Sequence, residues 1–259
     1  MELRAKVGAG LALAVAFWAT GLSAQSLDAS WFLPPLGSGS PYVGIEGGWS
    51  SLVSTKISVG PFTGRKQNFD GGDWDYVPHL VLGVRAGYEL GAWSIEEELS
   101  HRHNQEFGFM GLGSGGNAPF GGERDSYGLM TNVIYNWQLP PLRPLGAPFP
   151  HFTPHAGIGI GPLHISDNLA LNANPFAPVI AALGTCCLHG GTWVFGYQGI
   201  AGVRFEIMPN LLLDIDYRYI GSPGNLQFTS GAVKYKIHGG YQSHDSFMSL
   251  MWRFPPAVP

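Results

Sequence analysis

Charge is scarce in this sequence. Asp, Glu, Lys and Arg make up 12% of its 259 residues, whereas a soluble domain carries about 25%. The net charge is −4 with no basic stripe along the chain, which argues against nucleic acid as a partner. Cysteine is also rare. The chain has two cysteines, Cys186 and Cys187, and they are neighbours in the sequence. Adjacent cysteines cannot form an ordinary disulfide without strain, so they predict neither a disulfide scaffold nor a metal cluster.

Long apolar runs are missing beyond the first residues of the chain. Arg4 and Lys6 precede an apolar stretch over residues 7–22, which the small residues Ser23 and Ala24 follow. The stretch is shorter than the roughly 20 residues of a membrane-spanning helix. The pattern predicts a signal peptide over residues 1–24, cleaved after Ala24. We expect residues 25–41 to form an irregular N-terminal lead segment, since they are rich in Ser, Gly, Pro and Leu.

Apolar residues, glycine and proline are abundant. The chain is 45% hydrophobic and 13% aromatic, with 38 glycines and 20 prolines. Glycine and proline disfavour helices, whereas short strands joined by irregular links tolerate them well. With so little charge, this composition favours a β-barrel that spans a membrane.

Apolar and polar residues alternate with a period of two in eight segments. The clearest segment has Leu211, Leu213 and Ile215 on one face and Asp214 and Asp216 on the other. Such alternation predicts strands with one face toward lipid and one toward the lumen. We predict strands near residues 42–49, 79–90, 92–101, 125–137, 152–162, 192–205, 211–220 and 245–254.

One residue breaks this pattern. Glu97 falls on the apolar face of the third predicted strand. A charge that faces lipid is costly, so we expect a β-bulge, a position near the membrane surface or a bonding partner there.

The links between these segments alternate in length. Long links are expected at residues 51–78, 102–124, 163–191 and 221–244, and short or compact ones after the second, fourth and sixth strands. The chain is therefore predicted to be all-β, with an eight-stranded antiparallel up-and-down transmembrane β-barrel over residues 42–254, short periplasmic turns and long extracellular loops. Residues 255–259 form a C-terminal tail. A soluble sandwich would instead need an inward apolar face.

Charged residues recur on the polar faces. An eight-stranded barrel is just wide enough for its own side chains to fill, and charges buried there persist when they are paired. A set of paired catalytic carboxylates is the alternative reading. We predict a plug-like polar network inside the barrel, and we expect Gly157, Gly159 and Gly161 to make room for Arg and Tyr side chains opposite. The predicted network comprises Arg85, Glu89, Glu96, Glu98, Arg204, Asp214, Asp216 and Arg218.

Two groups of residues suggest chemistry. His101 and His103 share a face at a strand end, an arrangement that can hold zinc, and His244 could join them, although the spacing fixes no third ligand. His164, Ser166 and Asp167 suggest a hydrolase, since some small outer-membrane barrels deacylate lipid A with such residues. A catalytic triad is recognised by geometry rather than by nearness in sequence. We predict no catalytic, cofactor or metal site and keep both alternatives open.

Aromatic residues cluster at the ends of the predicted strands. Amphipathic rings favour the headgroup level of a membrane, so these residues predict an anchoring girdle rather than a sugar-binding platform, which would lie in the loops. The girdle comprises Trp49, Tyr88, Trp93, Tyr135, Trp137, Tyr219, Trp252 and Phe254.

Several short motifs resemble one family. Residues 42–48 read Tyr-Val-Gly-Ile-Glu-Gly-Gly, residues 153–161 read Thr-Pro-His-Ala-Gly-Ile-Gly-Ile-Gly, and residues 216–219 read Asp-Tyr-Arg-Tyr. Residues 132–135, residues 196–204 and the closing strand with Trp252 and Phe254 fit the same pattern. Together they resemble the OmpA-like and opacity-type outer-membrane β-barrel proteins common in alphaproteobacteria. The chain departs from that family at His155, where tyrosine is usual, and in extending five residues beyond its aromatic end.

The resemblance implies a function class rather than an activity. It implies residence in the outer membrane of a Gram-negative cell and a structural, surface-antigen, adhesive or small-porin role without catalysis. The expected partners are outer-membrane lipid, lipopolysaccharide, the barrel-assembly machinery and an extracellular ligand or host surface. Trp252 and Phe254 are expected to carry the assembly signal. A lipid A-modifying hydrolase is the alternative function.

Overall fold

The computed structural model describes residues 39–53, 56–60, 71–77, 79–111, 117–138, 152–171, 187–230 and 233–256. The predicted signal peptide and residues 25–38 lie outside these ranges. Within them, no helix is long and apolar enough to cross a membrane. Regular structure in the described ranges consists of strands: β1 Ser40–Leu52, β2 Lys56–Gly60, β3 Gly71–Val77, β4 His79–Leu90, β5 Trp93–Gly111, β6 Asn117–Asn136, β7 Phe152–Leu171, β8 Cys187–Met208, β9 Leu211–Gly221, β10 Leu226–Ser230, β11 Val233–His238 and β12 Gln242–Arg253.

Eight of these strands close into a ring. Each strand pairs antiparallel with its neighbours in the order β1, β4, β5, β6, β7, β8, β9 and β12, and β12 returns to β1. At the closing seam Tyr42 stands opposite Arg253 and Leu52 opposite Ser243. The predicted closed eight-stranded antiparallel barrel is confirmed.

The two ends of the barrel differ. One end carries the tight turns at residues 91–92 and 209–210, together with the first and last residues of the ring; we call it the turn end. Gly91 begins its turn with φ of 63°, a left-handed conformation that glycine adopts without steric cost. The opposite end, which we call the loop end, carries the connections from β1 to β4, β5 to β6, β7 to β8 and β9 to β12.

The wall is apolar outside and polar inside. Ile45, Trp49 and Ile158 are 64%, 68% and 72% exposed on the outer face. Residues that alternate with them along the strands, such as Glu46, point inward and are buried. This arrangement is the reverse of a water-soluble protein and matches a surface that faces lipid.

The barrel wall is taller on one side. Strands β5 to β8 contain 19 to 22 residues, whereas β1, β4, β9 and β12 contain 11 to 13. About 9–11 residues cross a membrane, so β5 to β8 continue beyond it at the loop end. The predicted loops 102–124 and 163–191 are therefore wrong over much of their length. Strand pairing continues there without the apolar alternation that lipid contact imposes.

A second, three-stranded sheet lies at the loop end. It has the order β10, β11 and β2, and β3 pairs with the far end of β5. These strands fall in segments 51–78 and 221–244, which the sequence predicted as loops. Leu226, Phe228 and Ile237 of this sheet are buried, and β10 lies against β8. The sheet thus packs an apolar face at the loop end.

Candidate functional site in the barrel interior

The structure places all eight predicted network residues on the inner face. Seven of them are buried, and the side chain of Glu89 at the turn end is 18% exposed. Strand alternation brings them together, since residues two apart on one strand point the same way. The network residues therefore form a column along the barrel axis.

Arg85 lies at the centre of this column. Its guanidinium contacts four carboxylates: Glu46 at 3.3 Å, Glu96 at 3.4 Å, Asp214 at 3.4 Å and Asp216 at 3.2 Å. These carboxylates come from three strands other than its own, so one cation ties several parts of the wall together. Charge-assisted bonds of this kind offset the cost of removing the ions from water.

Arg218 forms a second hub nearer the loop end. It lies 2.7 Å from Glu98, 3.0 Å from Glu46 and 2.9 Å from Asp216. Its guanidinium also lies 4.3 Å from the ring centroid of Phe247, within cation–π distance. An arginine suits this position because its planar group can bind several carboxylates at once.

Further arginines flank these hubs on both sides. Toward the turn end, Arg204 contacts Glu89 at 2.7 Å and Asp214 at 3.1 Å. Toward the loop end, Arg102 contacts Asp245 at 2.6 Å. Arg124 contacts Asp167, also at 2.6 Å. Polar bonds thus run through most of the interior.

Several bonds cross the lumen from wall to wall. In a ring of eight strands, β9 stands opposite β5 and β8 opposite β4. Arg218 to Glu98 and Arg204 to Glu89 join these opposite strands. Tyr241, just before β12, bonds at 2.9 Å to Ser126 on the opposite strand β6. The lumen is therefore bridged at three different heights.

A small cavity remains at the turn end. It measures about 110 Å³ and lies between Glu89, Asn136, Arg204 and Arg253. Ligand pockets usually measure about 300–1,000 Å³. The contact between Arg204 and Glu89 borders this cavity, so the cavity is a recess at the turn end rather than a channel through the barrel.

His155 lies beside two carboxylates of the network. Among the described residues, five arginines and seven acidic residues are buried, which leaves an excess of acid. His155 Nε2 lies 2.6 Å from Asp216 and 3.5 Å from Asp214. The three side chains are close enough to share a metal ion. However, arginines already bind both carboxylates, so a hydrogen-bonded imidazole at His155 fits the site better than a metal ion.

Sequence reasoning left several interior residues out of the network. Asn132 donates to Glu96 and Glu98, and Gln198 donates to Glu98 at 2.8 Å. Alternation alone would have placed these two and Glu46 inside. Arg102, Arg124 and Asp167 were missed because the sequence predicted loops there.

The three glycines of β7 make room for other groups than expected. A Cβ on Gly159 would meet Asn132 and Gln198, and one on Gly161 would meet the backbone carbonyl of Leu129. Gly157 similarly faces the carbonyl of Val133. The expectation of Arg and Tyr side chains opposite is wrong. Close approach of neighbouring strands and of amide side chains requires glycine here.

Glu97 has a bonding partner on the outer face. Thr131 Oγ1 donates to its carboxylate at 2.7 Å from the paired position of β6. The ladders of β4, β5 and β6 run through this point without a register shift. Of the three expected explanations, the structure shows a partner and excludes a bulge.

The suggested hydrolase residues do not converge. His164, Ser166 and Asp167 lie in β7 rather than in a loop. Asp167 points inward to Arg124, whereas His164 faces outward and packs against Trp193 at 4.8 Å. A serine triad needs the base between nucleophile and carboxylate. Side chains on opposite faces of one strand cannot form it.

His101 and His103 do lie side by side on the outer face, but His244 is elsewhere. His244 is on β12, separated from β5 by β1 and β4, and bonds at 2.5 Å to Tyr217. The group that meets both histidines is Asp125 of β6.

Aromatic residues form clusters near both ends of the barrel. At the turn end Trp93, Tyr135 and Trp137 lie in a chain with ring centroids 4.9 Å and 5.4 Å apart. At the loop end Tyr219 packs near Tyr197 at 6.4 Å. Two belts of this kind are typical of membrane barrels.

Comparison with known proteins identifies the fold alone. No protein-family model and no curated protein matches this chain. Among solved structures, the outer membrane protein OprG from Pseudomonas aeruginosa is 14% identical with a TM-score of 0.51, covering 84% of this chain and 98% of its own. Neisserial surface protein A is 15% identical with a TM-score of 0.42, covering 83% and 97%. The outer membrane protease OmpT from Escherichia coli is 9% identical with a TM-score of 0.38, covering 90% and 100%. OprG supports a shared barrel fold.

Proposed function

We propose that this protein is an integral outer-membrane barrel with a closed lumen, which anchors its loop-end structures at the cell surface. The wall-to-wall contact between Arg218 and Glu98 carries the proposal, because it occupies the axis that a pore would need. Structural or surface-interaction roles follow from this arrangement. Transport of large solutes is not compatible with it.

Location in the outer membrane is supported by the surface and the fold. The apolar outer wall requires lipid, and closed barrels satisfy all backbone bonds within it. OprG, which shares the fold, is an outer membrane protein. In this proposal the predicted signal peptide directs export, the barrel-assembly machinery inserts the chain, and lipid and lipopolysaccharide surround it.

Orientation can be tested with lysine chemistry. After the predicted signal peptide, the lysines are Lys56, Lys66, Lys234 and Lys236, and in sequence all four fall between β1 and β4 or between β9 and β12, strands that are joined at the loop end. If the loop end faces outward, an amine reagent that cannot cross membranes should label these lysines on intact cells. Labelling that requires broken cells would contradict the orientation. Lysine peptides mapped by mass spectrometry would exclude reaction at the N-terminal amine.

Ion conduction should be low. A continuous path would have to pass Arg218, Arg204 and Tyr241, each bonded across the lumen. Separating a buried ion pair leaves charge uncompensated, which costs several kcal/mol. We therefore expect the closed state to dominate and a small-porin role to be minor.

The discriminating experiment is reconstitution into planar bilayers. The purified full-length protein should conduct close to the baseline, and the double variant R204A/R218A should conduct measurably because both bridging guanidinium groups are removed. R253A is the matched control, since Arg253 lies at the turn-end rim and bridges no opposite walls. Large, steady conductance of the unmodified protein would contradict a closed lumen.

The alternative function is tested in parallel. Lipid A from cells that overproduce the protein should keep all its acyl chains, because His164 and Asp167 point to opposite faces of β7. Loss of an acyl chain that depends on His164 and Ser166 would instead establish the hydrolase.

A further inference from the structure

Two histidines and an aspartate meet on the outer face of β5 and β6, apart from the interior network. Asp125 stands directly opposite His103 in the strand ladder. A single oxygen, Asp125 Oδ1, lies 2.9 Å from His103 Nδ1 and 3.1 Å from His101 Nε2. One nitrogen of each histidine on β5 thus meets the same carboxylate oxygen of the paired strand β6.

Neighbouring rings hold both imidazoles in place. His101 stacks on Tyr127 with centroids 4.4 Å apart and an interplanar angle of 16°. His103 contacts His79 edge-on, with centroids 5.2 Å apart at 83°. Packed rings lose less freedom when they bind a ligand, and His79 adds a third imidazole beside the group.

The charge around this group favours a cation. The nearest arginines in sequence, Arg102 and Arg124, point inward and bind Asp245 and Asp167. They therefore do not compete for Asp125, unlike the arginines that surround His155 in the interior. Glu123 is exposed two residues before Asp125, on the same outer face.

The group is also accessible. The side chains of His101, His103 and Asp125 are 40%, 31% and 36% exposed. His103 follows the turn-end belt residue Trp93 by ten positions along β5, and about 9–11 residues cross the apolar band. The group therefore lies at the loop-end boundary of the membrane, within reach of ions in water.

We propose that His101, His103 and Asp125 form a binding site for a divalent transition-metal cation such as Zn²⁺. Two imidazoles and one carboxylate are the ligand set that zinc accepts with an open fourth position. The cation would replace the two hydrogen bonds to Asp125 and link β5 to β6 where both strands leave the membrane. His79 or water would complete its coordination. The site is independent of the closed lumen.

Zn²⁺ titration of the full-length protein in detergent tests the site, using an affinity tag without histidine. Calorimetry should show one equivalent bound. D125N and H103Q should each weaken binding by about tenfold or more, a loss that removing a metal contact commonly produces. H244Q is the matched control, because His244 lies on the outer face of β12, separated from β5 by β1 and β4, and this variant should bind as the unmodified protein does. Each variant should first show the altered gel mobility of a folded barrel.

A second measurement needs no variant. Zn²⁺ should protect His101 and His103 from a histidine-acylating reagent, as mass spectrometry would show, while His189 stays reactive. Absence of binding, or full affinity in both D125N and H103Q, would overturn the proposal. Binding that H155Q abolishes and D125N retains would assign the metal to the interior group instead.

Discussion

Arg218 on β9 and Glu98 on β5 stand on opposite walls of the barrel, and their charged groups lie 2.7 Å apart in its interior. Both side chains are fully buried. An eight-stranded barrel is only wide enough for side chains to meet across it, so one long arginine and one glutamate span the lumen. The pair fills the barrel and links strands that are distant in sequence.

Removing Arg218 should strongly destabilise the barrel. R218A removes the 2.7 Å partner of Glu98, which then keeps only a 3.9 Å ion-pair contact with Arg102, whereas Glu46 and Asp216 retain Arg85. A buried charge deprived of its partner costs about 3–5 kcal/mol. We expect the free energy of unfolding to fall by that amount, measured by urea unfolding of the protein folded in lipid vesicles.

The control for this prediction is R253A. The Arg253 side chain is 28% exposed and lies 3.1 Å from Glu206 at the turn-end rim. Exposed pairs contribute about 0–1 kcal/mol. Equal losses of unfolding free energy in R218A and R253A would show that the interior ion pair contributes no more to stability than the pair at the rim.

Glu97 should be replaceable with a gain in stability. Its carboxylate faces outward and has one bond, from Thr131. E97L removes a charged group from the lipid-facing surface and should stabilise the barrel by up to about 2 kcal/mol. T131V, which removes the donor, should destabilise it by about 1–2 kcal/mol.

The double variant E97L/T131V separates the two effects. Because both polar partners are gone, its stability should lie near that of E97L alone. If T131V costs as much in the E97L background as in the unmodified chain, the hydrogen bond does not explain how Glu97 is tolerated.

Two glycines on paired strands should respond differently to alanine. A Cβ on Gly161 would collide with the carbonyl of Leu129, which belongs to the backbone and cannot rotate away, whereas a Cβ on Gly199 meets nothing within 4 Å. Forcing strands apart costs about 1–3 kcal/mol. G161A should therefore lower the urea midpoint, and G199A should leave it almost unchanged. A larger loss in G199A would show that glycine flexibility rather than space is decisive.

Much of the barrel was predictable because lipid imposes a period of two on each spanning strand. The segment 79–90 and β4 coincide, and 211–220 differs from β9 by one residue. The extensions of β5 to β8 were not predicted, because beyond the membrane the alternation no longer puts apolar residues outside: in β7, Leu163, Ile165 and Leu169 point inward and are buried. The β10 and β11 hairpin was missed because its alternating apolar residues, Leu226, Phe228 and Ile237, are buried at the loop end instead of facing lipid.

The sequence predicts which charged residues lie inside the barrel, but it does not predict which of them bind one another. Alternation put Arg85 and Asp216 inside, yet which carboxylate binds which arginine depends on the strand order and register of a closed ring. Asp125 illustrates the limit. It was recognised as the start of a strand, but its contact with His103 follows only from the β5 and β6 ladder.

The last prediction concerns the end of the chain. Phe254 N–H donates to the carbonyl of Pro41 at 2.8 Å, the final bond that ties the end of β12 to β1. The described residues that follow, Pro255 and Pro256, are exposed and lack an N–H to extend the ladder.

We therefore expect Phe254 and Trp252, both exposed on the outer wall, to carry the assembly signal and residues 255–259 to be passive. Deleting 255–259 should leave the amount of heat-modifiable barrel in the outer membrane unchanged, whereas F254A and W252A should reduce it. W49A is the control, because Trp49 is an aromatic residue on the same outer wall, still more exposed and away from the chain end. If the deletion blocks assembly while F254A does not, the signal lies in the tail, and the closing bond to Pro41 serves stability alone.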